Sequence, residues 1–140
     1  MSTVDAGEVA LWLAWKRVSE SSRGRILAEV IADSLLNEPE LTVLAHLDEA
    51  GGTLRQNALA TAAGWDRTRL SHLLSRMDER GYLSRQRLQN GVEVTMLPAG
   101  DNALSGTKEP LAAAVHRYFA SRLSVEQRSA LRDIVDALSD

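Results

Sequence analysis

Apolar positions along the chain follow a helical period at both ends and a period of two in one short central stretch. Leu11, Trp12, Trp15 and Val18, then Ile26, Leu27, Val30, Ile31 and Leu35, form a stripe at helical spacing and predict a long helix over residues 8–36. Gly24 and the Ser-Glu-Ser-Ser run before it mark where that helix is expected to kink or break, and Asn37-Glu38-Pro39 is read as its end. A second helix is expected over 40–50, with Leu41, Leu44 and Leu47 inward and Gly51-Gly52 as the stop. A third covers 55–63 and breaks at Gly64. A fourth starts behind Asp66, whose carboxylate can cap it, and stops at Gly81. Alternation then predicts strands at 82–88 and 92–97, joined at Asn90-Gly91 by a type I′ turn. Pro98-Ala99-Gly100 reads as a turn, followed by a helix over 101–123 that Pro110 is expected to kink. Ser124 and Gln127 fit a capping box, opening a last helix with Leu131, Ile134, Val135 and Leu138 on one side.

The third and fourth helices carry the chemistry. Ala60, Gly64 and Leu70 have the spacing of a helix-turn-helix: a small residue at the crossing, a glycine in the turn, and an anchor packing back. Leu70, Leu73, Leu74 and Met77 line the inner face of the fourth helix, while Arg67, Thr68, Arg69, Ser71, His72, Ser75 and Arg76 occupy the other. Those are donors suited to the major groove. Arg67, Thr68, Arg69 and His72 are the candidates for contacts at or near the bases, with Ser71 a further DNA-binding candidate and Arg76 assigned to phosphate. Arg55 and Gln56, at the start of the third helix, are candidate phosphate ligands. The hairpin would be a wing carrying Arg85 and Arg87. Arg80 is set apart as a partner for the C-terminal end of the fourth helix.

Charge sharpens this picture. The chain has 140 residues, one domain's worth, and a net charge of −3. Residues 1–54 hold four basic and nine acidic side chains, residues 55–88 hold seven arginines and three acids, and residues 89–140 hold five basic and seven acidic. The excess of positive charge is confined to the recognition segment, and local field rather than overall charge decides where a polyanion docks. No cysteine is present, which excludes disulfides and thiolate metal sites. His46, His72 and His116 show no metal-ligand spacing, so no metal or other cofactor is expected. No nucleophile motif or Gly-rich phosphate loop occurs, and an enzyme is not expected. With no basic leader in MSTVDAGEV and no long apolar run, a cytoplasmic protein without a membrane partner is expected. Trp12 and Trp15, near Arg17, are candidate walls and counter-charge for an aromatic carboxylate, with His46 as a further lining candidate.

The order of elements, the run ALATAAGWDRTRLSHLLSRMDERGYLSR and the following LPAG resemble the MarR family of bacterial transcription regulators over nearly the whole chain. The resemblance implies a mainly α fold, a winged helix-turn-helix whose N- and C-terminal helices form a dimerisation bundle. Within one domain spanning 1–140, residues 8–36 and 101–140 would then be dimerisation helices and 40–97 the winged lobe. It further implies a homodimer on a pseudo-palindromic double-stranded DNA operator, acting as a ligand-responsive repressor. The ligand implied is a small phenolic or other aromatic acid. The excess apolar surface of the end helices points to a dimer independently. One departure stands out: the wing RQRLQNGVEV lacks the acidic residue that precedes the family's wing arginine, which leaves Arg87 or Arg85 to act without it. The alternative from another class is a winged-helix protein–protein interaction module that does not bind an operator.

Overall fold

The computed structural model describes residues 5–139. Residues 1–4, where the leader reading begins, and residue 140, the end of the expected last helix, lie outside them. The chain packs as two units, residues 5–32 with 109–139 and residues 33–108.

The second unit is the winged lobe. Its first helix, α2 (Glu38–Glu49), begins where the sequence suggested only an ending. Asn37 is its N-cap, accepting from the Glu40 amide at 2.9 Å, while the Glu40 carboxylate accepts from the Asn37 amide at 3.0 Å. Pro39 sits in the first turn, where its missing N–H costs nothing. Asn37-Glu38-Pro39 is therefore an initiator of α2, and the helix before it has already ended at Ala32.

A short strand β1 (Thr53–Arg55) leads into α3 (Gln56–Ala63), and α4 (Arg67–Glu79) follows after two connecting residues and Gly64. Strands β2 (Leu83–Leu88) and β3 (Gly91–Met96) complete an antiparallel sheet of order β1-β3-β2. The third strand was not foreseen. Three residues are too few to show a period, and Thr53 is placed by its partner Thr95 across the ladder. Leu88 pairs with Gly91, so the hairpin turns at Gln89-Asn90. Among the described residues no non-glycine has positive φ, so the expected type I′ turn is replaced by one with both central residues at negative φ. Leu44, Leu47, Leu59, Leu70, Leu74, Met77, Leu83 and Val94 are fully buried between these helices and the sheet, and side chains of that size each contribute about 1.5–3 kcal/mol on burial.

Helix α5 (Pro98–Tyr118) starts at the residues expected to be a turn. Pro98 takes the first helical position, and Gly100 is there because nothing larger fits. A Cβ on it would lie 2.2 Å from the Tyr82 carbonyl oxygen and 3.2 Å from Leu44 Cδ2. Glu40, the one buried carboxylate among the described residues, is paired with Arg80, whose guanidinium also donates to the Tyr82 hydroxyl at 3.0 Å. Arg80 is thus a structural residue, and its partner is Glu40 rather than the end of α4.

In the first unit, α1 (Ala6–Ala32) runs without interruption through the expected break. A single glycine costs a helix only about 1 kcal/mol against alanine, and good helix formers flank Gly24 on both sides. Helix α5 likewise continues through Pro110, and the carbonyl of Gly106, which loses its partner there, belongs to an exposed residue that water can serve. After Tyr118 comes a 3-10 turn at Ala120–Arg122 in place of further α-helix. The last helix, α6 (Val125–Leu138), opens on the expected Ser124–Gln127 capping box. Val30 is the only buried residue of α1, and α6 has none. Leu11, Trp12, Trp15, Ile134, Val135 and Leu138 are all exposed, Trp12 to 60% and Leu138 to 72%.

Gly100→Ala is expected to destabilise the protein by about 1–3 kcal/mol, the cost of overfilling a packed site, read as a lower urea midpoint at unchanged slope. Arg80→Met is expected to lose about 2–3 kcal/mol because it strands the buried Glu40 carboxylate. Adding Glu40→Gln to that variant should restore part of the loss in the same urea titration.

Candidate nucleic-acid interface

The geometry of the helix-turn-helix follows from three consecutive residues. Gly64 adopts a left-handed conformation (φ 69°), and its amide donates to the Thr61 carbonyl at 3.2 Å. The Trp65 amide donates to the Ala60 carbonyl at 3.0 Å, completing the closure of α3. Asp66 then caps α4, its carboxylate accepting from the Arg69 amide at 2.9 Å. No slack remains between the two helices.

Helix α4 divides as its pattern requires. Leu70, Leu73, Leu74 and Met77 are buried; Arg67, Thr68, Arg69, His72 and Arg76 are exposed, with Ser71 half-buried at the margin. The Ser75 hydroxyl is used within the helix, donating to the Ser71 carbonyl at 3.0 Å. Among the described residues, no carboxylate pairs with Arg67, Arg69 or Arg76. Three cations on one exposed face with no counter-charge of their own form an anion-seeking surface.

The arginines at the edges of this face are not equivalent. Arg85 is half-buried and its Nε donates to the Asp78 carboxylate at 3.3 Å, so it is held against α4. Arg87, two residues further out on the same face of β2, is exposed and has no carboxylate partner among the described residues. Arg55 is exposed, but its Nη1 donates to Asn90 Oδ1 at 2.8 Å, which ties the start of α3 to the wing tip. Gln56 is half-buried in the first turn of α3. Sequence reasoning overlooked Trp65. Its ring lies 5.0 Å from the Arg69 guanidinium, and an aromatic four residues before an arginine at a helix start is the signal that could have found it.

The ligand candidates fall into both units. Trp15 lines a cleft of about 590 Å³ with Val18, Ile26, Tyr118, Phe119 and Leu131. Arg17 lines another of about 310 Å³ with Ser21, Arg25 and Arg122. Trp12, on α1, lines neither, and His46 is half-buried on α2 in the winged lobe. Among the described residues, no three His, Asp or Glu side chains converge as metal ligands, and no helix is long and apolar enough to cross a membrane.

A family model described as a domain of unknown function (DUF7343) matches residues 35–92, from the approach to α2 to the start of β3. No curated protein matches the chain. Solved structures match it almost end to end. AbsC, a MarR family transcriptional regulator from Streptomyces coelicolor, is 20% identical with a TM-score of 0.81, covering 99% of this chain and 95% of that one. Sco3205, a MarR family transcriptional regulator from the same organism solved in complex with DNA, is 23% identical with a TM-score of 0.81, covering 97% and 91%. An organohalide-sensing transcriptional regulator in its 2,4-dichlorophenol-bound form is 18% identical with a TM-score of 0.74, covering 97% and 80%. With its short strand, its closed helix-turn-helix, its wing and its flanking long helices in the same order, this protein has the fold of the MarR family transcriptional regulators.

Proposed function

We propose that the protein is a sequence-specific double-stranded DNA-binding transcription regulator. In this reading it is not an enzyme, and it works in the cytoplasm beside the chromosome. The observation that carries the proposal is the exposed face of α4, where Arg67, Arg69 and Arg76 stand without carboxylate partners among the described residues. An interaction module that had lost DNA binding would have no use for three uncompensated cations beside Thr68 and His72. Site-specific contacts come from Arg67, Thr68, Arg69, Ser71 and His72, with Arg76, Gln56 and Arg87 on phosphates. Arg55 and Arg85 act mainly by bracing the wing, since each already has a partner.

The dimer is part of the same proposal. Exposed Leu11, Trp12, Trp15, Ile134, Val135 and Leu138 are apolar surface that a second copy would cover. A two-fold dimer presents two α4 helices to successive major grooves, about 34–36 Å apart on a pseudo-palindromic operator. Repression and its relief follow if a small aromatic or phenolic ligand favours a conformation with a different spacing. The ligand then acts through its differential affinity for the two states. The aromatic cleft of Trp15, Tyr118 and Phe119 supports such a ligand, as does the dichlorophenol bound by one structural relative.

Fluorescence anisotropy with DNA from upstream of the protein's own gene, against a random duplex, tests the proposal. Specific binding should exceed random binding by about 10³ or more and fall steeply with salt. Arg76→Ala and Arg87→Ala should each weaken binding to both duplexes and reduce the log–log salt slope by about one, while Arg85→Ala leaves the slope unchanged. Equal, weak binding of the wild type to every fragment in a genome-wide selection would falsify the reading. Sedimentation should give twice the chain mass, and Ile134→Glu should shift the protein toward monomer and weaken operator binding with it.

A further inference from the structure

We infer that Trp65 is a positioning residue for sequence readout, holding Arg69 as the arginine that reads a guanine while Arg76 contacts phosphate. The inference rests on the operator-binding reading above and assigns roles within it. The backbone of Trp65 is held within the helix-turn-helix connection. Its amide is bound to the Ala60 carbonyl at 3.0 Å, and Asp66, next in the chain, caps α4 through the Arg69 amide at 2.9 Å. The half-buried indole extends from this held backbone at the start of α4. The Arg69 guanidinium lies 5.0 Å from the ring centroid.

Side chains on a helix lean toward its N-terminus. The stack with Trp65 holds Arg69 on that side, toward the beginning of α4. In helix-turn-helix proteins that end of the recognition helix reaches the base edges. A guanidinium lying on an aromatic ring also keeps its N–H groups directed outward from its edge, free for bidentate donation to O6 and N7 of guanine. Arg67 and Arg76 have no comparable support among the described residues. A mobile arginine loses rotamer freedom when it docks, whereas one biased toward an aromatic face loses less of it on docking. Preorganisation of this kind improves discrimination between bases. It leaves unchanged the number of phosphates neutralised.

The test starts with selection of a preferred site from a randomised duplex pool by the wild-type protein. Affinities for that site and for its single-base variants are then measured at several salt concentrations with Trp65→Leu, Trp65→Phe, Arg69→Ala and the Trp65→Leu/Arg69→Ala double variant. Trp65→Leu is expected to lose about two- to fivefold in affinity for the preferred site, the most that one exposed cation–π contact can preorganise. The loss should be confined to discrimination at one G·C pair, with the salt slope as in wild type. Trp65→Phe should keep most of the discrimination. In the Arg69→Ala background, Trp65→Leu should have no further effect. A uniform loss across all duplexes with a smaller salt slope would mean that Trp65 itself touches the DNA backbone. A full loss in the Arg69→Ala background, or no rescue by Phe, would mean that it only supports the fold; either result overturns the inference. If the wild type selects no site, operator binding fails and this assignment with it. If it selects one that Trp65→Leu discriminates equally well, only the assignment fails.

Discussion

The winged lobe is held together by a buried carboxylate that needs two partners at once. One oxygen of Glu40 accepts from the Asn37 amide and starts α2; the other accepts from Arg80 at the end of α4. The Arg80 guanidinium lies over the ring of Tyr82, 4.7 Å from its centroid, and donates to its hydroxyl. Tyr82 in turn accepts the Leu97 amide at its carbonyl and is approached so closely by Gly100 that no side chain fits between them. A continuous path thus runs from the first residues of α2 through α4 and the entry to β2 into the start of α5. A desolvated carboxylate is costly unless its hydrogen bonds are made, so these four elements are committed to one arrangement, and the exposed face of α4 inherits that rigidity.

Arginine is used in two ways across this lobe. Arg55, Arg80 and Arg85 are each bound to a protein acceptor: Asn90, Glu40 and Asp78. Arg67, Arg76 and Arg87 face outward without carboxylate partners among the described residues, and Arg69 rests on Trp65. The first group sets the positions of α4 and the wing; the second supplies the field that a polyanion would meet. This division reconciles an acidic chain with a basic surface, since all of the acidic excess lies outside residues 55–88. The same division runs through the wing. Asp78 on α4 holds Arg85 against the helix, while Arg87 further out has no carboxylate partner among the described residues.

The helical unit has the opposite character. Its apolar residues are mostly uncovered, and the ion pair of Arg117 with Glu29, at 2.7 Å and half-exposed, is worth little by itself. Burial of those side chains against a further surface is the larger source of stability open to it.

Much of this was legible in the residues alone. The helix-turn-helix followed from Ala60, Gly64, Asp66 and Leu70, and the last capping box from Ser124 and Gln127, because caps and αL closures are local and depend on residues within a few positions of each other. The sorting of α4 into Leu70, Leu73, Leu74 and Met77 against its arginines was equally plain, being a matter of period. What the sequence could not decide was set by partners distant along the chain. Pro39 read as a stop and Pro98 as part of a turn, yet each opens a helix, because helix beginnings, endings and turns share residues and only packing chooses between them. Gly24 read as a break, but its local cost is too small to interrupt a 27-residue helix. β1 exists only because Thr95 lies opposite Thr53. The roles of the seven arginines were hidden for the same reason. Nothing near Arg80 or Arg55 in sequence reveals Glu40, 40 residues away, or Asn90, 35 away. Local pattern determined which elements form and which faces they bury; the fold decided which charges were left for a ligand.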